Sequence, residues 1–158
     1  MIIGLHHVAI SVPDLDAGIG FYAGLLGFEV VERAEFDGSF RKADQAIGLS
    51  GVAARMAMLK APNAFVELWE YRHPEPEDRT ARPCDLGYPH MALQVREIAA
   101  EYTRLKAGGM RFVGEPVDFG NASAIYGRDP FGNVIELYEI RDPDIAQLDG
   151  PRATESRG

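Results

Sequence analysis

His7-Val8-Ala9-Ile10-Ser11-Val12 is matched later in the chain by His90-Met91-Ala92-Leu93-Gln94-Val95. Each stretch is followed by an acidic residue, an apolar one and a segment with helical spacing that ends in glycine. A second pair shares the same order: Val66-Glu67-Leu68-Trp69-Glu70-Tyr71 is matched by Ile135-Glu136-Leu137-Tyr138-Glu139-Ile140. A His strand followed by a Glu strand therefore occurs twice, and self-similarity of this kind decides an architecture before any local reading does.

Each half reads as strand, helix, then further strands, because period-two alternation gives way to helical spacing and then returns. In the first half Asp14 is an N-cap, Leu15, Ile19, Tyr22 and Leu26 recur at helical spacing, and Gly27 is a stop. Strands are expected at Glu29 to Glu35, Ala53 to Leu59 and Ala64 to Tyr71. In the second half Ile98, Tyr102 and Leu105 repeat the helical spacing before Gly108 and Gly109. Strands follow at Arg111 to Val113, Ala122 to Tyr126 and Asn133 to Ile140. The fold class is thus α+β, one domain over 1–140 made of module 1 (4–72) and module 2 (88–140), joined by a proline-bearing linker, 73–87. Residues 141–158 lack apolar periodicity and are expected to form a mobile tail. The first half is longer between its His and Glu strands than the second. The excess falls in Asp37 to Gly51, a long loop or short helix placed to cover a site.

Residues two apart on a strand share a face. His7, Ala9 and Ser11 fall together, opposite the apolar row Val8, Ile10 and Val12, and His90, Ala92 and Gln94 fall opposite Met91, Leu93 and Val95. The same rule groups Phe65, Glu67, Trp69 and Tyr71, and Val134, Glu136, Tyr138 and Ile140. A carboxylate held in mid-strand among apolar neighbours is costly to desolvate unless it is paired, hydrogen-bonded or bound to a cation. Two of them at equivalent repeat positions call for a common cause. If the concave faces meet, His7, Glu67, His90 and Glu136 form a two-His, two-carboxylate set suited to one divalent ion, with nickel, cobalt, manganese, iron, zinc or magnesium as candidates. Trp69 and Tyr138 would be pocket walls, and Arg41 and Arg128 the cations available for an anionic substrate group. His6, Glu70 and Glu139 point the other way; His6 reads as structural and the two glutamates as solvated near strand ends. The match of Gly18 to Ala23 to a dinucleotide fingerprint fails, because its glycines sit inside the helix.

The chain has 158 residues, 46% of them apolar and 25% charged, which is the composition of a globular domain. At this length folding buries roughly two-thirds of the unfolded surface, so a metal would serve function and not folding. A net charge of −8 is the wrong sign for a nucleic-acid binder or an anionic-membrane binder. Cys84 stands alone, and neither a secretion signal nor a membrane span is legible, so the expected location is cytoplasmic.

The segments HHVAISVPDLDAGIGFYAGLLGFEVV, FVELWEY, GYPHMALQV and DPFGNVIELYE together resemble the vicinal oxygen chelate superfamily, over about Leu5 to Ile140. That superfamily includes glyoxalase I, methylmalonyl-CoA epimerase, extradiol dioxygenases and the fosfomycin and bleomycin resistance proteins. The resemblance implies two paired βαβββ modules forming a curled mixed sheet around a divalent metal, with ligands at His7, Glu67, His90 and Glu136. It also implies a homodimer and a small-molecule substrate, a CoA or glutathione conjugate among the candidates. The fourth ligand favours the glyoxalase and epimerase branch, where a carboxylate moves the proton next to a carbonyl through a metal-stabilised enediolate. By the same resemblance Glu136 is the first choice of base and Glu67 the second. The alternatives are a non-haem iron extradiol-type dioxygenase and a metal-free ligand-sequestering resistance protein.

Overall fold

A computed structural model of the chain describes residues 1–77 and 82–148. The centre of the linker and the end of the tail, 78–81 and 149–158, therefore lie outside the described residues. The chain divides into two compact units, Met1–Thr80 and Ala81–Gly158. Each is a strand, a helix and further strands, so the fold is the α+β pair of βαβββ modules read from the repeat. Among the described residues no helix is long and apolar enough to cross a membrane.

In the first unit β1 (His7–Ser11), β2 (Glu29–Asp37), β3 (Ala53–Lys60) and β4 (Phe65–His73) form a sheet in the order β1-β4-β3-β2. β1 runs parallel to β4, and the remaining pairs are antiparallel. The alternation in β4 is preserved: Val66 and Leu68 are buried, while Glu67, Trp69 and Tyr71 on the other face are half-buried. Helix α1 (Leu15–Ile19) opens as expected, with the Asp14 carboxylate accepting from Ala17 N–H at 2.9 Å. It passes close over the sheet at Gly18, where a Cβ would lie 3.2 Å from Val12 and 3.3 Å from Leu68.

The helix then departs from simple helical spacing. Gly20–Leu25 is π-wound, with Leu26 N–H reaching back to the carbonyl of Phe21 at 3.0 Å. The wider turn tucks the adjacent rings of Phe21 and Tyr22 into the core together, while Ile19 and Leu26 are only half-buried. The extra stretch of the first half forms α2 (Arg41–Ile47). Its Asp44 is buried and accepts from Gly51 and Val52 N–H, both at 2.9 Å. Those two bonds, aided by Arg41, hold the carboxyl below its usual range and pin the helix to the start of β3.

In the second unit β5 (Met91–Gln94), β6 (Arg111–Phe112), β8 (Ala122–Arg128) and β9 (Val134–Ile140) take the order β5-β9-β8-β6, and β7 (Val117–Asp118) pairs with β8. β5 is parallel to β9, as β1 is to β4. Helix α3 (Ile98–Ala107) contributes Ile98 and Leu105 to a core shared with Met110, Ile125, Ile135 and Leu137. Gly127 lies under that packing, since a Cβ there would come within 2.7 Å of Met110 and 2.8 Å of Phe112. The turn before β9 is built on the fully buried Asp129. Its carboxylate accepts from Phe131 N–H at 2.9 Å, Asn133 N–H at 2.8 Å and the Asn133 side-chain amide at 2.8 Å. After β9, Arg141 bridges Asp118, Ser123 and Glu139, and Leu148 N–H donates to the Gln94 side chain at 2.7 Å.

Candidate metal centre

In the first unit β1 and β4 lie side by side in parallel, with Ala9 opposite Glu67. This places His7 Nε2 3.6 Å from Glu67 Oε2 on the face away from α1. The Glu67 carboxylate is largely buried and is fixed by the Trp69 indole, whose N–H donates to Oε2 at 2.6 Å. Behind His7, the Nδ1 atoms of His6 and His7 are 2.8 Å apart, and the His6 ring stacks on Phe65 at 4.8 Å. One of the two nitrogens must be the donor; with His7 donating, its lone pair lies on Nε2, the side facing Glu67. His6 thus meets the His7 ring and Phe65.

The second unit repeats the arrangement with different support. His90, immediately before β5, places Nε2 3.3 Å from Glu136 Oε2. Tyr126 on β8 stands directly across the ladder from Glu136 and meets the His90 ring edge-on at 5.0 Å. Burial, followed by the neighbouring Glu136 charge, pushes the Tyr126 phenol up from its ordinary value. Tyr126 escaped the sequence reading because only the strand register brings it to Glu136.

The other candidates lie on β4, β9, β8 and α2. Trp69 and Tyr138 lie on the faces of Glu67 and Glu136 respectively, both half-buried. Arg128 shares the Tyr126 face at the end of β8, and its guanidinium donates to the Gly132 carbonyl. Arg41 is on α2, with 81% of its side chain exposed and Asp44 at 3.6 Å. Phe36, Trp69 and Tyr71 form a stacked row, with centroids 5.5 and 5.2 Å apart, and Phe40 extends it at 6.1 Å. Phe36 and Phe40 also went unread in the sequence, since neither has a counterpart in the repeat.

Glu70 and Glu139 correct an expectation. Both lie off the site face, but neither is simply solvated. Glu70 is buried, accepts from Leu15 N–H at 2.7 Å and pairs with Arg55 at 2.5 Å. Arg55, despite the opposing burial, holds the Glu70 carboxyl below its usual range. Glu139 accepts from Glu97 N–H at 2.5 Å, and Arg141 lies 3.2 Å away. Both glutamates therefore satisfy unpaired N–H groups where their module's helix begins, favourable partners for the positive end of the helix dipole.

The donor chemistry suits a divalent ion. Imidazole nitrogen and carboxylate oxygen bound at about 2.1 Å to one ion stand roughly 3.0–3.4 Å apart at ordinary ligand angles, close to the separations in both pairs. Among the described residues, no group of three or more His, Cys, Asp and Glu is gathered for a metal. Each unit gathers one His–Glu pair.

The model of the Glyoxalase/Bleomycin resistance protein/Dioxygenase superfamily matches residues 4–137. The chain belongs to that superfamily. A 2-epi-5-epi-valiolone epimerase from Actinomyces is 33% identical over 150 residues, covering 87% of this chain and 80% of the relative. A probable lactoylglutathione lyase from Synechocystis is 27% identical over 138 residues, covering 85% and 94%. Among solved structures, a glyoxalase family protein from Bacillus cereus superimposes with a TM-score of 0.79 at 29% identity, covering 89% of this chain and 95% of that one. Superfamily relatives thus include an epimerase and a probable lyase.

Proposed function

We propose that the chain is a divalent-metal-dependent enzyme that removes a proton next to a carbonyl in a small molecule and returns it, as an epimerase or as an isomerising lyase. The observation that carries this reading is the recurrence of one His–Glu pair per module, His7 with Glu67 and His90 with Glu136, each on the sheet face away from its helix. A structural ion pair needs no such recurrence, whereas a shared ion needs donors from both modules. His7, Glu67, His90 and Glu136 would hold it. A divalent ion bound there supplies Lewis acidity that stabilises negative charge on the substrate oxygens as the α-proton leaves.

Glu136 is the proton-moving carboxylate in this reading, and Glu67 the more fixed one. The indole N–H on Glu67 ties down an oxygen lone pair and cannot itself exchange a proton in the physiological range. Glu136 instead faces a phenol, a group able both to donate and to accept. Tyr126 would keep the carboxylate oriented towards the substrate while His90 holds its other side. Delivery of a proton to the opposite face of the same carbon gives epimerisation, which needs a second proton donor besides Glu136, and return by Glu136 to the neighbouring carbon gives isomerisation. The 33% identical epimerase and the probable lyase support this reaction class, with the epimerase the stronger of the two.

The test is exchange of the α-proton in deuterium oxide, followed by proton NMR on a panel of α-hydroxy ketones and α-substituted thioesters with nickel, cobalt or manganese added. Metal-dependent loss of the α-proton signal, absent in Glu136→Gln, is expected. Oxygen uptake with catechol and iron, without exchange on any ketone or thioester, would replace this reading with the dioxygenase one.

A further inference from the structure

We propose that the aromatic row of the first unit is the subsite for the body of the substrate, that it takes a compact uncharged ring, and that Phe40 sets its specificity. The inference rests on the proton-abstraction reading and names its substrate class, a cyclic α-hydroxy ketone without a charged carrier arm. Four rings stand in series, Phe40, Phe36, Trp69 and Tyr71, each inclined to the next by 21° or less. Trp69 is tied to Glu67 through its indole N–H, so the row passes beside the carboxylate, with Tyr71 to one side and Phe36 and then Phe40 leading away on the other.

Cross-strand aromatic pairs stabilise sheets, and that accounts for Phe36 on Trp69. It does not account for Phe40. This ring lies outside the sheet, just before α2, is 51% exposed, and belongs to the stretch that the second module lacks. An exposed phenylalanine held in line with a half-buried row extends an apolar wall towards solvent. The Asp44 anchor keeps that stretch in place, so the wall is preformed. The rings bring no charge, Arg41 beside Phe40 is paired with Asp44 at 3.6 Å, and the indole donor is already committed to Glu67. Charged arms of a nucleotide or tripeptide carrier would lose hydration against it without recompense, whereas the C–H face of a small ring would not.

Trp69 is the only tryptophan of the chain, so its emission reports on this row directly. The zinc-loaded full chain is titrated with 2-hydroxycyclohexanone, with open-chain hydroxyacetone and with the glutathione adduct of methylglyoxal. The expected result is a saturable change in Trp69 emission, with the cyclic ketol bound most tightly. Phe40→Ala should weaken that binding roughly three- to tenfold, the loss of one aromatic contact, while Phe40→Tyr retains it. Zinc content and circular dichroism should match the parent in both variants. An unchanged affinity in Phe40→Ala, tighter binding of the glutathione adduct, or no emission response to the ketol would each overturn the proposal. Failure of the catalytic reading shows separately, as absent zinc or absent α-proton exchange.

Discussion

The two units share a plan and differ in what stands around it. At repeat-equivalent positions both keep a histidine, a carboxylate 3.6 or 3.3 Å from it, and a second glutamate turned to the helix side to meet N–H groups at the start of the helix. Around that constant set the first unit places Met58 across the ladder from Glu67, where the second places Tyr126 across from Glu136. It also carries Trp69 where the second has Tyr138, Tyr71 where the second has Ile140, and the whole of α2. Positions retained in both halves seat a helix and, in the proposed reading, would contribute two donors to a metal. Positions that diverged can divide labour, with the first unit furnishing an apolar wall and the second a proton-handling group.

The largest effect expected from this contrast is catalytic. Glu136→Gln should lower α-proton exchange by about 10²–10⁴-fold, and Glu67→Gln by less, when both are saturated with metal. Equal losses in the two variants, measured by NMR exchange rates, would erase the distinction between the units.

Next in size is the contrast between the helix-side glutamates. Glu70→Gln leaves Arg55 without its buried carboxylate partner and should cost about 1–3 kcal/mol. Glu139→Gln, whose partners are more exposed, should cost less than about 1 kcal/mol. Urea midpoints rank the two, and the reverse order would contradict this account of helix seating.

The close approaches under each helix should also separate. Gly127→Ala drives a methyl into Met110 and the Phe112 ring and should destabilise by about 1–3 kcal/mol. Gly18→Ala meets side chains only at 3.2 and 3.3 Å, and the gain in helix propensity, about 1 kcal/mol, offsets much of the crowding. Thermal melts of the two variants check this.

The smallest effect concerns acid. Because the folded-state pKa of Glu70 is lowered, chiefly by Arg55, its contribution is complete above the unfolded carboxyl's value, about 4.3, and fades as pH falls through the lower folded value. Stability should therefore decline below about pH 4.3, less steeply in Glu70→Gln. Parallel curves for parent and variant would remove Glu70 from the acid response.

Much of this was legible in the sequence because alternation and repetition are properties of the chain itself. The facing of His7, Glu67 and Glu136 within their strands followed from period two, with His90 just ahead of its strand, and the fold from the doubled order of His and Glu strands. What escaped depends on non-local pairing. Tyr126 acquires meaning only from the β8–β9 register, and Phe40 only from a ring contact between α2's leading edge and β2. Glu70 and Glu139 were assigned the right face and the wrong environment, since strand alternation does not show where a helix begins in space. The π-wound turn at Gly20–Leu25 was hidden for a similar reason: burial of both Phe21 and Tyr22 is a tertiary gain that helical spacing cannot express.

The central claim is that the two pairs serve one ion. Cobalt stoichiometry of the full chain, by elemental analysis after equilibration and desalting, tests it most directly, alongside His7→Ala and His90→Ala. One ion per chain, lost or greatly weakened in either variant, is the predicted result. Two ions per chain with each variant losing only one, or tight binding that survives removal of either histidine, would contradict it.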